Sequence, residues 1–328
     1  MKQVYILFLI SFVTAALITI PAFRALALRF NIVDAPDGNL KKHHRATPYL
    51  GGIGVFTALW IVLLASVGFS GILPGLFFGT LFILIVGLID DVFLLSPLEK
   101  LVGQLCSALI FVGNGFSITL GLPFYGDQIL SVFWLVSLMN AFNLIDVMDG
   151  LATTVSMSAT CGLIGYVAYL KQFDLLVLLV VFLGTQLAFF YYNRPCATIY
   201  LGDAGSMFLG AMIGALTLKA NWMNLGNCAT INYLISPLII GIPIVEVCSL
   251  IIIRRFKNIP FYAGSRDHYI HYLKRKNWSE YDILVFTLFF SILLCIISIM
   301  IVSIGSSFIS FVLFGLIALA LWLNVVFC

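Results

Sequence analysis

Charged side chains are scarce in this chain. Lys, Arg, Asp and Glu make up 9% of its 328 residues, against about 25% in soluble domains. Hydrophobic residues make up 62%, and the mean hydropathy is +1.12. This composition excludes a soluble globular domain and predicts a single all-α polytopic membrane domain over residues 1–328. We expect membrane lipid, and no nucleic acid, among its partners.

Paired cysteines are also missing. The seven cysteines lie mostly within apolar runs, and they form neither a CxxC pair nor an even framework. This pattern argues against a disulfide scaffold and against a zinc site, so we expect inert buried thiols. The chain also contains no internal repeat and no low-complexity segment.

Long apolar runs are abundant. We count about eleven that could cross a bilayer, with ten as the alternative because the fourth and eighth are short. The first run is longer than the core of a signal peptide, and we expect it to remain as a helix. The runs cover residues 3–28, 49–69, 71–89, 101–114, 128–145, 151–170, 173–192, 205–219, 230–253, 283–303 and 308–327.

Basic residues are concentrated on one side of this topology. If the N-terminus lies outside, thirteen of the seventeen Lys and Arg residues fall in cytoplasmic loops. The positive-inside rule therefore predicts that these loops face the cytoplasm and that the N-terminus lies outside. All four histidines and eleven of the fourteen acids lie on the same side. The loops expected to form the site are 29–48, 90–100, 143–150, 192–204 and 254–282.

The stretch from Asn140 to Ala152 is the strongest candidate for a working site. Asn140, Asn143, Asp146 and Asp149 follow one another at intervals of three residues between two apolar runs. A charged group at membrane depth is costly unless it has a partner or water. We therefore expect a functional site here, although asparagines that join neighbouring helices by hydrogen bonds remain an alternative.

Further polar motifs fall on the same predicted side. Asp90 and Asp91 end the third run, and Lys100 opens the fourth. The segment Gly202-Asp203-Ala204-Gly205-Ser206 opens the eighth run, where a glycine-flanked helix start suits a phosphate. A plain turn is the alternative for that segment, because it lacks the preceding strand and the lysine of a soluble phosphate loop.

Two basic loops complete the set. The first contains Lys42, and the last contains Arg266, His268 and His271. The two histidines could share a helical face, but a zinc site would need further ligands, so we favour contact with phosphate or simple placement at the membrane interface. Carboxylates and amides suit Mg²⁺, and adjoining basic groups suit a pyrophosphate. Phosphoryl transfer at a membrane surface uses all of these groups together.

These motifs resemble those of the polyprenyl-phosphate N-acetylhexosamine-1-phosphate transferase family, whose superfamily includes phospho-MurNAc-pentapeptide translocase. The resemblance extends over nearly the whole chain, from residue 42 to residue 271. It implies that a UDP-N-acetylhexosamine, such as UDP-GlcNAc, gives its sugar 1-phosphate to undecaprenyl phosphate and releases UMP. Such a reaction begins cell-envelope polysaccharide synthesis, including O-antigen, capsule, lipopolysaccharide and wall polymers. A homodimer is left open.

The resemblance also implies residue roles. Asp203 would be the principal Mg²⁺ ligand and Asn143 would assist it, with Mn²⁺ as a substitute metal. Asp90 and Asp91 would be the catalytic pair at the acceptor phosphate, as a base or as electrostatic organisers, and we favour direct attack over a covalent aspartyl intermediate. Substrate contacts are implied for Lys42, Lys100, Asn140, Asp146, Asp149, Tyr200, Arg266, His268 and His271.

The chain departs from the family pattern at three positions that bear on the donor sugar. Val147 stands where glycine is usual, Glu246 where aspartate is typical, and Ile270 in the middle of the usual His-x-His-His loop. The absence of adjacent histidines from this loop disfavours a muramyl-pentapeptide donor, which stays an alternative within the superfamily.

Two other functions are alternatives for a membrane protein with these acidic motifs. An ion-coupled secondary transporter would place its acids near the bilayer midplane and often shows inverted repeats, whereas these acids cluster at one face. A CDP-alcohol phosphotransferase resembles Asp149-Gly150 locally, but its extended motif does not follow in this chain.

Overall fold

The computed structural model describes residues 2–34, 47–220, 235–258, 260, 267–304 and 308–327. Two predicted site residues, Lys42 and Arg266, lie outside the described residues. Within the described ranges the fold is all-α apart from one short ribbon of two strands.

The chain begins with a long, nearly continuous helix. α1 (Lys2–Thr14) passes through a π-helical turn (Ala15–Thr19) into α2 (Ile20–Arg29). An antiparallel ribbon follows, in which β1 (Val33–Asp34) pairs with β2 (Thr47–Pro48). The next seven helices are α3 (Gly51–Ser66), α4 (Leu73–Phe93), α5 (Pro97–Gly113), α6 (Gly126–Ile145), α7 (Leu151–Tyr169), α8 (Phe173–Asn193) and α9 (Gly202–Lys219). The last five are α10 (Ile235–Ile239), α11 (Gly241–Phe256), α12 (Tyr269–Arg275), α13 (Glu280–Ile304) and α14 (Phe308–Phe327).

Turn and capping residues set the helix ends near the polar motifs. Leu94 ends α4 in a left-handed conformation with φ 52°. Ser96 and Glu99 then form a reciprocal capping box that starts α5, with a proline in its first turn. Gly150, with φ 76°, precedes α7. These breaks place the acidic residues at helix ends and not in the middle of the spans.

Six of the described helical segments are long and apolar enough to cross a bilayer. This confirms an all-α architecture with several membrane-spanning helices, while the count of about eleven stays a prediction. Two shorter apolar helices, Gly51–Ser66 and Gly315–Val326, add to the six. The described part of the predicted 230–253 run is not one helix, because α10 and α11 are separated at Ile240. The six are Gln3–Arg29, Leu73–Phe93, Gly126–Ile145, Leu151–Tyr169, Phe173–Asn193 and Glu280–Ile301.

The five cysteines that the structure describes are all free. This agrees with the predicted absence of a disulfide framework. Burial was predicted for the thiols and holds only for Cys295. The prediction was wrong for the other four, which are exposed on the isolated chain: three lie on apolar helices, which need not bury their side chains in protein if they face lipid, and Cys196 lies in the segment after α8. These four are Cys106, Cys161, Cys196 and Cys248.

Helix α9 is the packing centre of the fold. Fifteen of its eighteen residues are buried, and it packs against α3, α4 and α6. Small residues make the close approach possible: a Cβ added to Gly87 of α4 would lie 2.4 Å from Ala204 Cα, and one added to Gly52 of α3 would lie 2.2 Å from Gly205 Cα. The first turn of α9 is therefore held against two neighbouring helices.

We expect Gly87→Val to lower the thermal unfolding midpoint of the purified chain, because the new side chain would push α4 away from the first turn of α9. Overpacking of this kind costs about 1–3 kcal/mol or more. Gly113→Val is the matched control, since a Cβ at Gly113 meets no atom within 4 Å. Equal midpoints for the two variants would contradict the tight contact between α4 and α9.

Candidate active site

A cavity of about 330 Å³ opens where the C-terminal ends of α4 and α6 meet the first turn of α9. Asp34, in strand β1, and Tyr49, which directly follows strand β2, also line the cavity. Six of its described lining residues are aspartates, and none is Lys, Arg or His. The six are Asp34, Asp90, Asp91, Asp146, Asp149 and Asp203. The structure thus gathers acids from four separate regions of the sequence into one acidic cavity.

Asp91 caps the N-terminus of α9. Its two carboxylate oxygens accept hydrogen bonds from the backbone N–H groups of Asp203, at 2.7 Å, and Ala204, at 3.2 Å. A negative charge at this end of a helix is favourable, because the first N–H groups have no partner within the helix. The close approach requires Gly202, which has φ 74° and whose added Cβ would lie 2.6 Å from Asp91 Oδ2. Capping by Asp91 was not predicted from the sequence.

Asp203 lies at the centre of a network of charged and polar groups. Its Oδ2 accepts from Lys100 Nζ at 2.7 Å, and its Oδ1 accepts from Asn143 Nδ2 at 2.7 Å. Lys100 also forms an ion pair with the buried Asp90, whose Oδ1 accepts from Leu95 N at 2.8 Å. The predicted grouping of Asp203, Asn143, Lys100 and Asp90 is therefore present in the structure, with one ammonium group shared between two carboxylates.

Asp146 contributes charge that no described residue neutralises. It follows the last residue of α6, lines the cavity, and has no hydrogen bond or ion pair to any described side chain. Burial, and then the negative charges of Asp203, Asp91 and Asp149, raise its pKa well above the ordinary value. The cavity therefore favours either a proton or a cation at this carboxyl group.

Asn193 joins three elements beside the cavity, and its role was missed in the sequence. Its Oδ1 accepts from Gly150 N at 3.1 Å and from Thr153 Oγ1 at 3.3 Å, while its Nδ2 donates to Ile199 O at 3.1 Å. Nearby, Asp149 Oδ2 accepts from Ala197 N at 2.9 Å. The signal that could have revealed Asn193 is an amide directly before Arg-Pro at the end of an apolar run.

Tyr200 lines the cavity, as predicted, and a second tyrosine accompanies it. The Tyr200 backbone N–H donates to Pro48 O at 2.8 Å, and the rings of Tyr200 and Tyr49 have centroids 6.1 Å apart. Burial, and then the charge of Asp34, raise the pKa of Tyr49 above its ordinary value. Tyr49 and Asp34 were not singled out in the sequence, because nothing local showed that the ribbon folds onto the site.

Asn140 is placed away from the cavity. It exchanges hydrogen bonds with the buried Gln104, donating Nδ2 to Gln104 Oε1 at 2.6 Å and accepting from Gln104 Nε2 at 3.3 Å. The pair joins α5 to α6, in the way foreseen for asparagines between membrane helices. The substrate contact predicted for Asn140 stays a prediction.

His268 and His271 form a separate group that does not line the acidic cavity. His268 Nδ1 lies 2.9 Å from Glu246 Oε1, and both side chains are buried. His271, the more exposed of the two histidines, has its ring centroid 6.2 Å from that of His268. Glu246 therefore orients His268, and α12 begins directly after this contact.

Comparison of this sequence with known proteins identifies its family. A probable undecaprenyl-phosphate N-acetylglucosaminyl 1-phosphate transferase of Bacillus subtilis is 30% identical over 284 residues, which cover 83% of this chain and 78% of that protein. The sequence profile of glycosyl transferase family 4 matches residues 73–221. The chain belongs to this family.

Two further relatives of this family 4 chain are named for a different activity. A phospho-N-acetylmuramoyl-pentapeptide-transferase of Streptococcus pneumoniae (strain Hungary19A-6) is 33% identical over 230 residues, covering 62% of this chain and 69% of that protein. One of Streptococcus agalactiae serotype Ia is 36% identical over 219 residues, covering 55% and 63%. The matched region of the family profile contains α4 to α9, and with them the contacts of Asp91 and Asp203.

The three departures from the family pattern have different surroundings in this family 4 chain. Val147 is 41% exposed and lines the acidic cavity, so it could contact a ligand there. The carboxylate of Glu246 contacts the ring nitrogen Nδ1 of His268. Ile270 is 1% exposed and packs in the core, so its side chain does not face the cavity.

The acidic cavity fits a hard divalent cation, although the described residues contain no cluster of three His, Cys, Asp or Glu side chains ready to hold one. Asp146 offers an unneutralised carboxylate, and Asp203 and Asn143 offer oxygens at the first turn of α9. Mg²⁺ often takes only one or two carboxylates and completes its shell with water and substrate phosphates. The donor set is therefore of the kind that such an ion uses.

We expect Gly202→Ala to destabilise the chain more than Gly121→Ala does. Both glycines have positive φ, 74° and 75° respectively, so both variants incur the cost of a left-handed alanine, about 1–2 kcal/mol. Only the Cβ at position 202 meets another group, the carboxylate of Asp91, since a Cβ at Gly121 has no atom within 4 Å. Thermal unfolding measures the difference, and equal losses would contradict the capping contact.

We expect Asp146→Asn to raise the unfolding midpoint near neutral pH in the absence of divalent cations, because it removes an unneutralised buried charge. The folded state favours the protonated acid, so wild-type stability falls as pH rises through the raised pKa of Asp146, and the variant lacks this loss. Added Mg²⁺ should stabilise the wild type more than the variant.

Asp174→Asn is the matched control, because Asp174 is exposed in the first turn of α8, at the other end of that helix from Asn193. A lower midpoint for Asp146→Asn than for this control would show that the Asp146 carboxylate makes a stabilising contact.

Proposed function

We propose that this chain transfers an N-acetylhexosamine 1-phosphate from a UDP-sugar to undecaprenyl phosphate and releases UMP. The observation that carries the proposal is the environment of Asp203. This carboxylate lies in the first turn of α9, between Lys100 and Asn143, beside an acidic cavity at the ends of apolar helices. A site there can receive one substrate from water and the other from the bilayer.

The proposed reaction is a direct displacement at phosphorus. An oxygen of the acceptor phosphate attacks the donor phosphorus that carries the sugar. The bond between this phosphorus and the oxygen that bridges it to the second phosphate breaks, and UMP leaves with that oxygen. The acceptor oxygen is already ionised at neutral pH, so the step needs no general base. Positioning and neutralisation of charge are then the main tasks of the protein.

The contacts of the aspartate pair support a role for both residues as organisers. Asp91 uses both carboxylate oxygens to hold the N-terminus of α9, which leaves it poorly placed to act as a nucleophile. Asp90 holds Lys100 beside Asp203. In the proposed mechanism Lys100 swings from these carboxylates to the phosphates as the substrates enter, and its charge stabilises the negative charge on the transferred phosphoryl group.

The remaining cavity residues suit the nucleotide. The half-buried ring of Tyr200 offers a stacking surface for uracil, and Asp149 lies on the same cavity wall as an acceptor for a base N–H group. Asp203 and Asn143, with Asp146 beside them, would hold Mg²⁺ or Mn²⁺. Bound there, such an ion would supply positive charge that offsets the charge of the substrate phosphates. Tyr49 and Asn193 are added to the proposed set because they line the same cavity.

The donor, the orientation and the pathway are also part of the proposal. The Bacillus subtilis relative and the lack of adjacent histidines between His268 and His271 support a GlcNAc-like donor over a muramyl-pentapeptide donor. A UDP-sugar is a cytoplasmic metabolite, which supports a cytoplasmic site and an N-terminus outside the inner membrane. An ion-coupled transporter is not favoured, because the acids meet at helix ends.

The deciding experiment measures UMP release by the purified full-length chain. UDP-GlcNAc, UDP-GalNAc, UDP-glucose and UDP-MurNAc-pentapeptide are supplied in turn, each with and without undecaprenyl phosphate, and with Mg²⁺ or a chelator. We expect UMP only with an N-acetylhexosamine donor, the lipid acceptor and the metal together. Failure of every donor would refute the proposed activity.

Asp203→Asn tests the centre of the site. We expect a loss of about 100-fold in UMP release, because the variant removes a carboxylate that organises Lys100 and the proposed cation. Asp174→Asn is the control, since Asp174 also lies in the first turn of a helix but outside the acidic cavity. Unchanged turnover in a folded Asp203→Asn variant would reject the role assigned to this residue.

A further inference from the structure

A second cavity, of about 400 Å³, lies on the other side of the segment that follows α8. Two arginines and three tyrosines line it, and none of its described lining residues is acidic. The residues used below are Arg24 of α2, Tyr191 and Arg194 at the end of α8, Cys196 and Thr198 of the following segment, and Tyr281 of α13. This basic cavity is chemically the opposite of the acidic one.

The two arginines keep most of their hydrogen-bonding capacity. Arg24 Nε donates to Thr198 O at 3.0 Å, and the Arg194 guanidinium carbon lies 4.8 Å from the centre of the Tyr191 ring. Neither arginine forms an ion pair with any acid that the structure describes. Two guanidinium groups in one concave site, without a neutralising carboxylate, favour an anion with several acceptor oxygens.

The basic cavity lies near the ends of three helices that are long and apolar enough to cross a bilayer. Arg24 is close to the end of the first membrane-spanning segment, Arg194 follows the last residue of α8, and Tyr281 is the second residue of α13. Tyr191 and Tyr281 are 59% and 54% exposed. Arginine and tyrosine at the ends of spans are the side chains that meet the interface, where phosphate and glycerol groups adjoin hydrocarbon.

We propose that the basic cavity binds the headgroup of an anionic phospholipid, with its phosphate on Arg24 and Arg194 and its glycerol region against Tyr191 and Tyr281. A free phosphate would not use the exposed aromatic rings, and a zwitterionic headgroup would bring its own cation to the two arginines. The site is separate from the substrate cavity and is independent of the reaction proposed above.

Occupation of this site would also hold one wall of the acidic cavity. Arg24 holds the carbonyl of Thr198, while one residue earlier the N–H of Ala197 donates to Asp149. The same short segment thus contacts both cavities. A lipid phosphate that fixes Arg24 and Arg194 would restrict this segment on its outer side.

Lipid retention by the purified full-length chain tests the proposal. Phosphatidylglycerol or phosphatidylcholine is added to the detergent-solubilised protein, and the bound lipid is counted by native mass spectrometry. We expect retention of phosphatidylglycerol over phosphatidylcholine, and a decrease of about tenfold or more in the Arg24→Gln/Arg194→Gln double variant. Equal retention of the two lipids, or undiminished retention by the double variant, would overturn the proposal.

Arg29→Gln is the matched control. Arg29 lies on the same helix as Arg24, is exposed, and has its guanidinium 6.0 Å from the centre of the Phe30 ring, but it does not line the basic cavity. Its variant should keep wild-type retention. If Arg29→Gln lost as much phosphatidylglycerol retention as the single variant Arg194→Gln, the effect would be one of general surface charge, and the assigned site would be overturned. Arg194→Gln is also tested singly. The Arg194 guanidinium donates no hydrogen bond to a described backbone atom, so this variant should fold.

A second measurement uses the unaltered chain. Cys196 is exposed and lines the basic cavity, so a bound headgroup should slow its alkylation by a water-soluble reagent, followed on the isolated peptide by mass spectrometry. We expect protection in phosphatidylglycerol nanodiscs and not in phosphatidylcholine nanodiscs. Equal rates in both would contradict the proposal. Protection by inorganic phosphate in phosphatidylcholine equal to that by phosphatidylglycerol would also overturn it, in favour of a free-phosphate site.

Discussion

One contact determines how the acidic cavity is built: the carboxylate of Asp91 on the first N–H groups of α9. It joins the end of a membrane helix to the start of the most buried helix in the fold. Because α9 is fixed in this way, Asp203 projects from its first turn toward Lys100 and Asn143. The contact depends on glycines, since Gly202 leaves space for the carboxylate and Gly87 lets the two helices approach. Stability and chemistry therefore rest on the same few atoms.

An acidic cavity repels anionic substrates unless a positive charge offsets its carboxylates. Six aspartates line the cavity, and Lys100 forms ion pairs with two of them, Asp90 and Asp203. Phosphates entering alone would be repelled by this charge. The carboxylates would hold a divalent cation, whose positive charge would offset this repulsion. Such an ion would also neutralise the carboxylate of Asp146, which no described residue neutralises.

The sequence predicted the class of fold and most of the acidic cavity. Long apolar runs identify membrane helices by composition alone, and the charge distribution along the chain indicated that Asp90, Asp91, Asp146, Asp149 and Asp203 belong together. Contacts were harder to predict. Asn140 fits the same three-residue spacing as Asn143, but the rotation of α6 directs it to Gln104, and spacing alone does not reveal which faces meet.

Sequence motifs also did not reveal the residues that act through backbone contacts. Asn193 holds the backbone of Gly150 and Ile199, and Tyr49 reaches the cavity only because β2 lies beside residue 200. The contact of Asn193 with Gly150 and that of residue 200 with Pro48 join parts of the chain that are far apart in sequence. The segment between Asn193 and Gly202 is the clearest case. It has no long element of its own, yet its two sides contact opposite charges, Asp149 on one side and Arg24 on the other. Its position is therefore set by the neighbouring helices, and whatever binds on either side acts on the same short piece of backbone.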